Sequence, residues 1–482
     1  MSDRILTSRD IRVLLEESLS RATDAETSRV TEETLFTPPQ HKNALDPDVT
    51  IVKGGRGVGK TVWFEALQDE QQRSVARDRY SLPILDGLKV RAGFGARLSK
   101  EYPTARRLAW MIESGIEPVD VWTAVALYAF GDADVSAIED WPARVQWVCD
   151  NSAEVDERFL ELDDKAAAED ATYLLLFDAL DRLHSQRRYA DMLAGGVLRL
   201  ALHLRQSTSR LRAKVFIRYD MLESSHKEFA DASKLTTNAV DLLWTDTSLY
   251  SLLFHLVSRN DSEVGRLFSS EIGWSPGRVG NVDELKDALH LIAPVYMGSN
   301  HRKGYTYKWI PNHLADGRSQ VSPRSFLSAL THANEKTSEK FSDYEKALHF
   351  DAIREGVQHA SQIRVDEVGE DTPWVSDALR PLDGTQVPIE RDVVYAAWDE
   401  AGLKSILRED AYAPELTGDG DGGVGEFSDP MGPLSTDYDT LVDELMRLGI
   451  LTMREDGRLD LPDVYRIAFR IGRKGGVPVK RA

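Results

Sequence analysis

Cysteine is almost missing from this chain: Cys149 is the single one in 482 residues. One thiol excludes an intramolecular disulfide and any cysteine-built metal site, and it suits a reducing compartment. Cys149 stands among Trp147, Val148 and Asp150, which reads as a buried structural thiol rather than a nucleophile. Long apolar runs are lacking as well. No stretch approaches about 18 uninterrupted apolar residues, so no membrane span is expected. The longest helical apolar segment, 119–130, still contains Asp120 and Thr123. The opening MSDRILTSRDIRVLLEESL breaks every apolar run with charge and does not read as a signal peptide. A soluble, cytoplasmic protein is expected. Positive charge is in short supply too, with 59 Lys and Arg against 79 Asp and Glu and a formal net charge of −20. A protein that coats nucleic acid through its overall field is thereby excluded. The 11 histidines never fall into a metal-ligand spacing, and no Gly-x-Ser-x-Gly elbow occurs. Asp419-Gly-Asp421-Gly fails as a calcium loop, because Gly423 replaces a ligand and Val424 the required glycine.

What is present begins with an ordinary globular composition, 42% hydrophobic, long enough for roughly three domains of ~150 residues. Residues 54–61 read Gly-Gly-Arg-Gly-Val-Gly-Lys-Thr, a complete G-x-x-x-x-G-K-[ST] phosphate loop. The β-rich run Thr50, Ile51 and Val52 precedes it, and 62–67 (VWFEAL) reads as a helix start. Glycines let the backbone N–H groups of Gly54, Gly55, Arg56, Gly57, Val58 and Gly59 form a nest around a β-phosphate. The helix N-terminus adds its positive end to the same anion. Lys60 can reach the β- and γ-phosphates, and the Thr61 hydroxyl can ligate Mg²⁺.

A continuous apolar run, 171–177 (ATYLLLF), ends in Asp178 and has the pattern of a strand buried on both faces. At the edge of a strand beside the P-loop strand, Asp178 can hold Mg²⁺, and Asp181 can orient water. A second buried strand, 214–217 (KVFI), ends in Arg218, placed to meet a γ-phosphate with Asp220 to orient it. Strand, helix, strand implies a parallel α/β sheet with right-handed crossovers. Segments 103–113 and 118–130 read as helices with proline in the first turn. Arg324, in Ser-Pro-Arg-Ser-Phe opening a later helix, could reach back to the phosphates, although a first-turn arginine is not favoured by helix electrostatics.

From about Val240 the pattern turns helical, to about His349. Residues 351–385 are polar and contain breakers, as a linker does. Beyond them, 392–401 and 437–448 look helical, and strands 450–453 and 458–461 flank Asp456-Gly457, a hairpin signal. Helix followed by a β-hairpin is the pattern of a winged helix. Its candidate recognition helix carries Asp437, Asp439, Asp443 and Glu444 against Arg447, a face that phosphates would repel. After the hairpin, Arg466, Arg470, Arg473, Lys474, Lys480 and Arg481 oppose only Asp463, a basic tail that could touch nucleic acid or an acidic partner.

The order P-loop, LLLFDALD, strand ending in arginine, helical lid and winged helix resembles the STAND ATPases and their AAA+ relatives. Asp178-Ala-Leu-Asp181 is similar to the NACHT-type Walker B, in which an acid follows the first Asp by three. The chain departs from the pattern at Arg182, where a further acid is usual, and Asp178 is not followed directly by Glu. The resemblance implies an α/β P-loop ATPase core with a helical lid and a C-terminal winged-helix domain. The expected division is 1–45, N-terminal helix and linker; 46–238, ATPase core; 239–350, lid; 351–385, linker; and 386–482, winged helix with basic tail. The expected function is an ATP-binding, Mg²⁺-dependent ATPase switch in bacterial signalling or defence. Thr61 and Asp178 would hold the metal, Lys60 would neutralise the β/γ charge, Asp181 would position water, and Arg218 and Arg324 would sense the γ-phosphate. No repeat sensor or effector domain is evident, so a separately encoded partner is expected, with nucleotide-dependent self-assembly. The alternative is a DNA-transaction ATPase of the origin-recognition or transposition-regulator type that uses the basic tail. A third reading is a scaffold that holds nucleotide without turnover.

Overall fold

The computed structural model describes residues 6–23, 31, 34–225, 234–235, 237–407, 432–433 and 435–474. They fall into two compact units, one within Pro39–Leu243 and the other drawn from Met1–Pro38, Trp244–Tyr412 and Gly432–Ala482. The Asp419–Val424 loop, Lys480 and Arg481 lie outside the described residues.

The first unit is built on a five-stranded parallel sheet. Its strands are β1 (Ile51–Lys53), β2 (Leu88–Phe94), β3 (Thr172–Phe177), β4 (Leu211–Ile217) and β5 (Val240–Asp241), in spatial order β2-β3-β4-β1-β5. The continuous apolar runs of β3 and β4 are what a strand covered on both faces requires: Leu174 to Phe177 are fully buried, and Val215 to Ile217 nearly so. The sheet differs from the expected neighbour relation in one respect. β3 does not lie beside β1; β4 stands between them, pairing Val215 with both Phe177 and Ile51. Sequence order gives strands but not their spatial order, and the crossover helix Arg187–Ser207 returns β4 to the near side of β3.

Between β2 and β3 the chain makes five helices, Ala105–Glu113, Pro118–Phe130, Ala133–Ala137, Trp141–Asp150 and Val155–Ala168. The first of these starts later than its proline suggested. Thr104 caps it by accepting from the Arg107 N–H, so Pro103 precedes the helix rather than entering its first turn. Helix Pro118–Phe130 crosses Arg187–Ser207 at Gly196, where an added Cβ would come within 2.6 Å of Pro118 Cβ. There the buried Trp122 indole donates to the Leu193 carbonyl at 2.8 Å.

Two polar groups anchor the segment that leads into β1. His41, in the 3₁₀ turn Pro39–Leu45, accepts from the Trp63 indole at 2.9 Å and bonds the Leu243 carbonyl at 3.1 Å. Burial lowers its pKa to about 4, so the ring stays neutral in both bonds. Lys214 on β4 is fully buried and donates to the carbonyls of Asp46 at 2.8 Å and Val49 at 2.6 Å. Burial lowers its pKa to about 7.

In the second unit, helix Ser8–Thr23 buries Ile11, Leu14, Leu15 and Leu19 in the same core as helices Asp246–Ser258 and Pro323–Lys340. The expected N-terminal piece 1–45 is therefore split between the units: Ser8–Thr23 serves this core, and Pro39–Leu45 serves the P-loop unit. The expected linker 351–385 is also corrected. It forms the 22-residue helix Phe350–Asp371 and the helix Pro373–Leu379. Its inner face looked unlike a core stripe because it is partly polar. Beside Ile353, Val357 and Ala360 it buries Ser361, which accepts from the Ala468 N–H, and Arg364. Gly356 is where the helix presses on its neighbour, since a Cβ there would lie 2.1 Å from the Ala329 carbonyl oxygen.

The C-terminal part of this unit has helices Arg391–Glu400 and Tyr438–Arg447 and a hairpin of β7 (Thr452–Met453) and β8 (Leu459–Asp460). Gly457 takes φ 85° in the turn, as the Asp-Gly signal requires. A parallel pair absent from the sequence reading, β6 (Gln386–Val387) with β9 (Gly472–Arg473), closes the segment, and Ile389 bridges Leu459. Trp374, Trp398, Leu441, Leu445 and Leu461 form its core. Among the described residues no helix is long and apolar enough to cross a membrane.

Candidate functional site

The loop after β1 is folded by its own glycines. The Gly54 N–H donates to the Ile217 carbonyl at 3.2 Å, joining the loop to the end of β4. A Cβ on Gly54 would lie 2.5 Å from Val58 Cγ2, so any other residue must push the Val58 side chain aside. Gly57 and Gly59 take φ 73° and 101°, conformations that L side chains resist. Gly59 is the N-cap of helix Lys60–Gln68 and offers no side-chain acceptor to its first turn. The positive end of that helix therefore faces the loop with its N–H donors suited to an anion.

Lys60 and Thr61 open the helix. The Lys60 ammonium donates to the carbonyls of Gly54 at 2.9 Å and Gly55 at 2.7 Å. Burial pulls its pKa down to about 8; the charge of Asp178 opposes that most strongly, and Arg218 reinforces it. The side chain still keeps some accessible surface, so the enclosure is around the ammonium rather than the whole residue. The Thr61 hydroxyl donates to Asp178 Oδ2 at 2.7 Å. Asp178 closes β3, is 2% exposed, and is raised in pKa by burial against the pull of Thr61 and Lys60. The next residue, Ala179, adopts φ 56°, an uncommon left-handed conformation for a residue with a Cβ. It turns the chain from β3 into the 3₁₀ turn Leu180–Arg182, which carries Asp181. Asp181 lies close enough for its charge to act on both Lys60 and Asp178.

Arg218, at the tip of β4, is gripped by Asp220: Nε donates to Oδ1 at 3.0 Å and Nη2 to Oδ2 at 2.9 Å. Burial alone would raise Asp220, but the charges of Arg218 and Arg187 outweigh it and the pKa falls. Sequence reasoning missed the residues behind this pair. Arg187 faces Asp191 one helical turn on, at 3.5 Å, and Asp191 accepts from the Ser224 hydroxyl at 2.8 Å. The i, i+4 Arg–Asp spacing at the start of the crossover helix was the available signal. One edge of the sheet thus gathers Gly54 to Thr61, Asp178, Asp181 and Arg218. Arg210, just before β4, and Arg212, on it, pair with Asp170 and Asp48.

Arg324 belongs to the second unit, in the first turn of helix Pro323–Lys340, and its Nη1 donates to Glu367 Oε1 at 2.8 Å. The C-terminal charges also look different in space. Arg466 is fully buried against Asp463 and donates to the Ile471 carbonyl, Arg470 pairs with Asp383, and Arg473 pairs with Asp460 and Asp463. The segment is thus opposed by three acids, of which Asp383 is distant in sequence, and Arg470 and Lys474 are exposed. On helix Tyr438–Arg447, Glu444 is 1% exposed and Asp439 is held by Arg391 and Tyr395. The outward acidic charge is smaller than its sequence count.

No protein-family model matches the chain, and no curated protein matches it. Among solved structures it is similar to the Aeropyrum pernix ORC2 protein in two forms. The form with ADPNP and ADP is 15% identical, with a TM-score of 0.29, and the ADP form is 12% identical, with a TM-score of 0.30. Each match covers 96% of this chain and 91% of the other.

Proposed function

We propose that the P-loop unit binds ATP with Mg²⁺ and hydrolyses it slowly, as a conformational switch of the STAND/AAA+ kind. The observation that carries the reading is the Thr61–Asp178 hydrogen bond, which sets a helix-start hydroxyl and a strand-end carboxylate together beside the glycine nest. A hydroxyl and a carboxylate oxygen suit Mg²⁺, which is held by one or two protein ligands plus phosphate oxygens and water. Bound there, Mg²⁺ would neutralise charge on the phosphate oxygens.

The chain's own residues would do the rest. Lys60 would exchange its two loop carbonyls for the β- and γ-phosphates, and Asp181 would orient the attacking water. Arg218, held in place by Asp220, would meet the γ-phosphate. The hairpin after helix Tyr438–Arg447 supports the winged-helix reading. The pairing of Arg466, Arg470 and Arg473 within the unit speaks against DNA binding through the basic tail. A separately encoded partner and nucleotide-dependent self-assembly complete the proposal.

Calorimetric titration of ATP into the wild type and Lys60→Ala tests the site. Loss of most affinity in the variant is expected, and unchanged affinity would overturn the assignment. Phosphate release equal to that of Asp178→Ala, with ATP still bound, would select the scaffold reading. Particle mass with ADP against a non-hydrolysable ATP analogue tests assembly.

A further inference from the structure

Behind the Arg218–Asp220 pair lies a set of charges to which the proposed reaction gives no task. Arg218 takes both Asp220 oxygens, Oδ1 through Nε and Oδ2 through Nη2. The charge of Arg187 acts on the same carboxylate. Arg187 itself is paired with Asp191, Nε to Oδ2 at 3.5 Å, and Asp191 Oδ1 accepts from the Ser224 hydroxyl at 2.8 Å. Asp191, Asp220 and Ser224 are buried, and the Arg187 side chain is 11% exposed, so water and salt screen these charges little. All five residues lie in the P-loop unit. They join two helices that leave the site: Arg187–Ser207 follows the turn carrying Asp181, and Tyr219–Ser225, with Asp220 and Ser224, follows Arg218. Arg187 opens its helix, where the dipole disfavours a cation, and the charges of Asp191 and Asp220 offset that.

We infer that Asp191 is a positioning residue for Arg218: by holding Arg187 it leaves both oxygens of Asp220 to Arg218, and so keeps that guanidinium in place for a γ-phosphate. The inference rests on the proposed reading of Arg218. Its physical core is competition, because two arginines and two acids in one buried cluster can pair in more than one way. A buried guanidinium deprived of its carboxylate is costly. Arg187 without Asp191 would therefore turn to Asp220, which its charge already reaches. It would take an oxygen from Arg218 and break a two-point grip whose value is geometric. Ser224 sets the direction of the arrangement, since its hydroxyl fills Asp191 Oδ1 and leaves Oδ2 for Arg187. Burial raises the Asp191 pKa and the charge of Asp220 adds to that, while the charge of Arg187 and the Ser224 hydroxyl oppose it.

Affinities of the full chain for ATP and for ADP, compared as a ratio, test this. One charge-assisted bond to the γ-phosphate corresponds to roughly a tenfold change in that ratio. Asp191→Asn keeps an acceptor for Ser224 but removes the charge that holds Arg187. It is expected to lower the ATP-over-ADP preference by about tenfold, through weaker ATP binding with ADP affinity kept. Arg187→Ala/Asp191→Asn should restore most of the preference, because the competing guanidinium is gone. A merely structural role for Asp191 gives the opposite order, with the double variant at or below the single one. Ser224→Ala keeps both charges and should lower the preference by a smaller factor; it carries the test if Asp191→Asn does not fold. A wild-type ratio in Asp191→Asn, or in Ser224→Ala where that variant stands in, would overturn the inference, as would a double variant no better than Asp191→Asn. Arg218→Ala separates the two levels. An unchanged preference there strikes the γ-phosphate reading and the inference with it, whereas a lowered one beside an unchanged Asp191→Asn strikes the inference alone.

Discussion

ATP affinity should fall with rising pH through a window set by Lys60. Its ammonium is enclosed between two carbonyls, and burial brings the pKa from 10.5 to about 8. A bound polyphosphate would add its negative charge to those of Asp178 and Asp181 and return the pKa toward its ordinary value. Binding then takes up a proton wherever the free protein has lost it and the complex has not. The full difference corresponds to about 3 kcal/mol at about 1.36 kcal/mol per pH unit. Between pH 7 and 9 it gives roughly tenfold weaker binding, and a further unit approaches another tenfold. The nucleotide's own terminal phosphate ionises near pH ~6, so measurements from pH 7.5 upward isolate the lysine. Titration calorimetry in buffers of different ionisation enthalpy would read both the affinity and the proton uptake. Lys60→Met should bind weakly at every pH, with no slope and no uptake. A wild-type affinity that stays level from pH 7.5 to 9.5, or a slope that persists in Lys60→Met, would refute the reasoning.

Lys214 supplies a second pH effect, on stability. Its folded pKa of about 7 lies below the unfolded value, so the unfolded chain binds the extra proton and stability rises with pH as the lysine discharges. Denaturant melts of wild type and Lys214→Met should diverge by about 2 kcal/mol in favour of wild type between pH 7 and 9; parallel curves would contradict the burial argument. Gly54→Ala places a Cβ 2.5 Å from Val58 and should cut ATP affinity at least tenfold while leaving the melting temperature of the second unit in place, as read by calorimetry. Arg466→Ala should destabilise the second unit by about 1–3 kcal/mol, because it removes buried hydrogen bonds to Asp463 and the Ile471 carbonyl while Arg473 and His313 still face Asp463. A melting shift confined to about a degree would count against that account.

The site was legible where chemistry is local in sequence. The Gly54 to Thr61 spacing, the apolar run ending in Asp178 and the run ending in Arg218 each carried their own pattern, and the structure sets all three at one sheet edge. The helices Arg391–Glu400 and Tyr438–Arg447 and the Asp-Gly hairpin were likewise readable to within a residue or two, because caps, periodicity and turn residues are short-range signals. What escaped was set by partners far along the chain. The strand order places β4 between β1 and β3, which no local pattern encodes.

Charge was the least legible property of all. Arg466, Arg470 and Arg473 read as a free basic tail until Asp383 and Asp460 come to face them, and Glu444 reads as part of a repelling surface although it lies inside. The segment 351–385 read as a linker for the same reason, since Ser361 and Arg364 look solvent-bound until Ala468 and Tyr465 supply their partners. A polar residue is assigned to the surface by default, because burying it alone costs too much. That default fails wherever a distant residue completes the hydrogen bond. Counting cations and anions along a chain therefore tests a binding surface only after each charge has been checked for an internal partner. By that criterion Arg466, Arg470 and Arg473 count as charges matched within the unit.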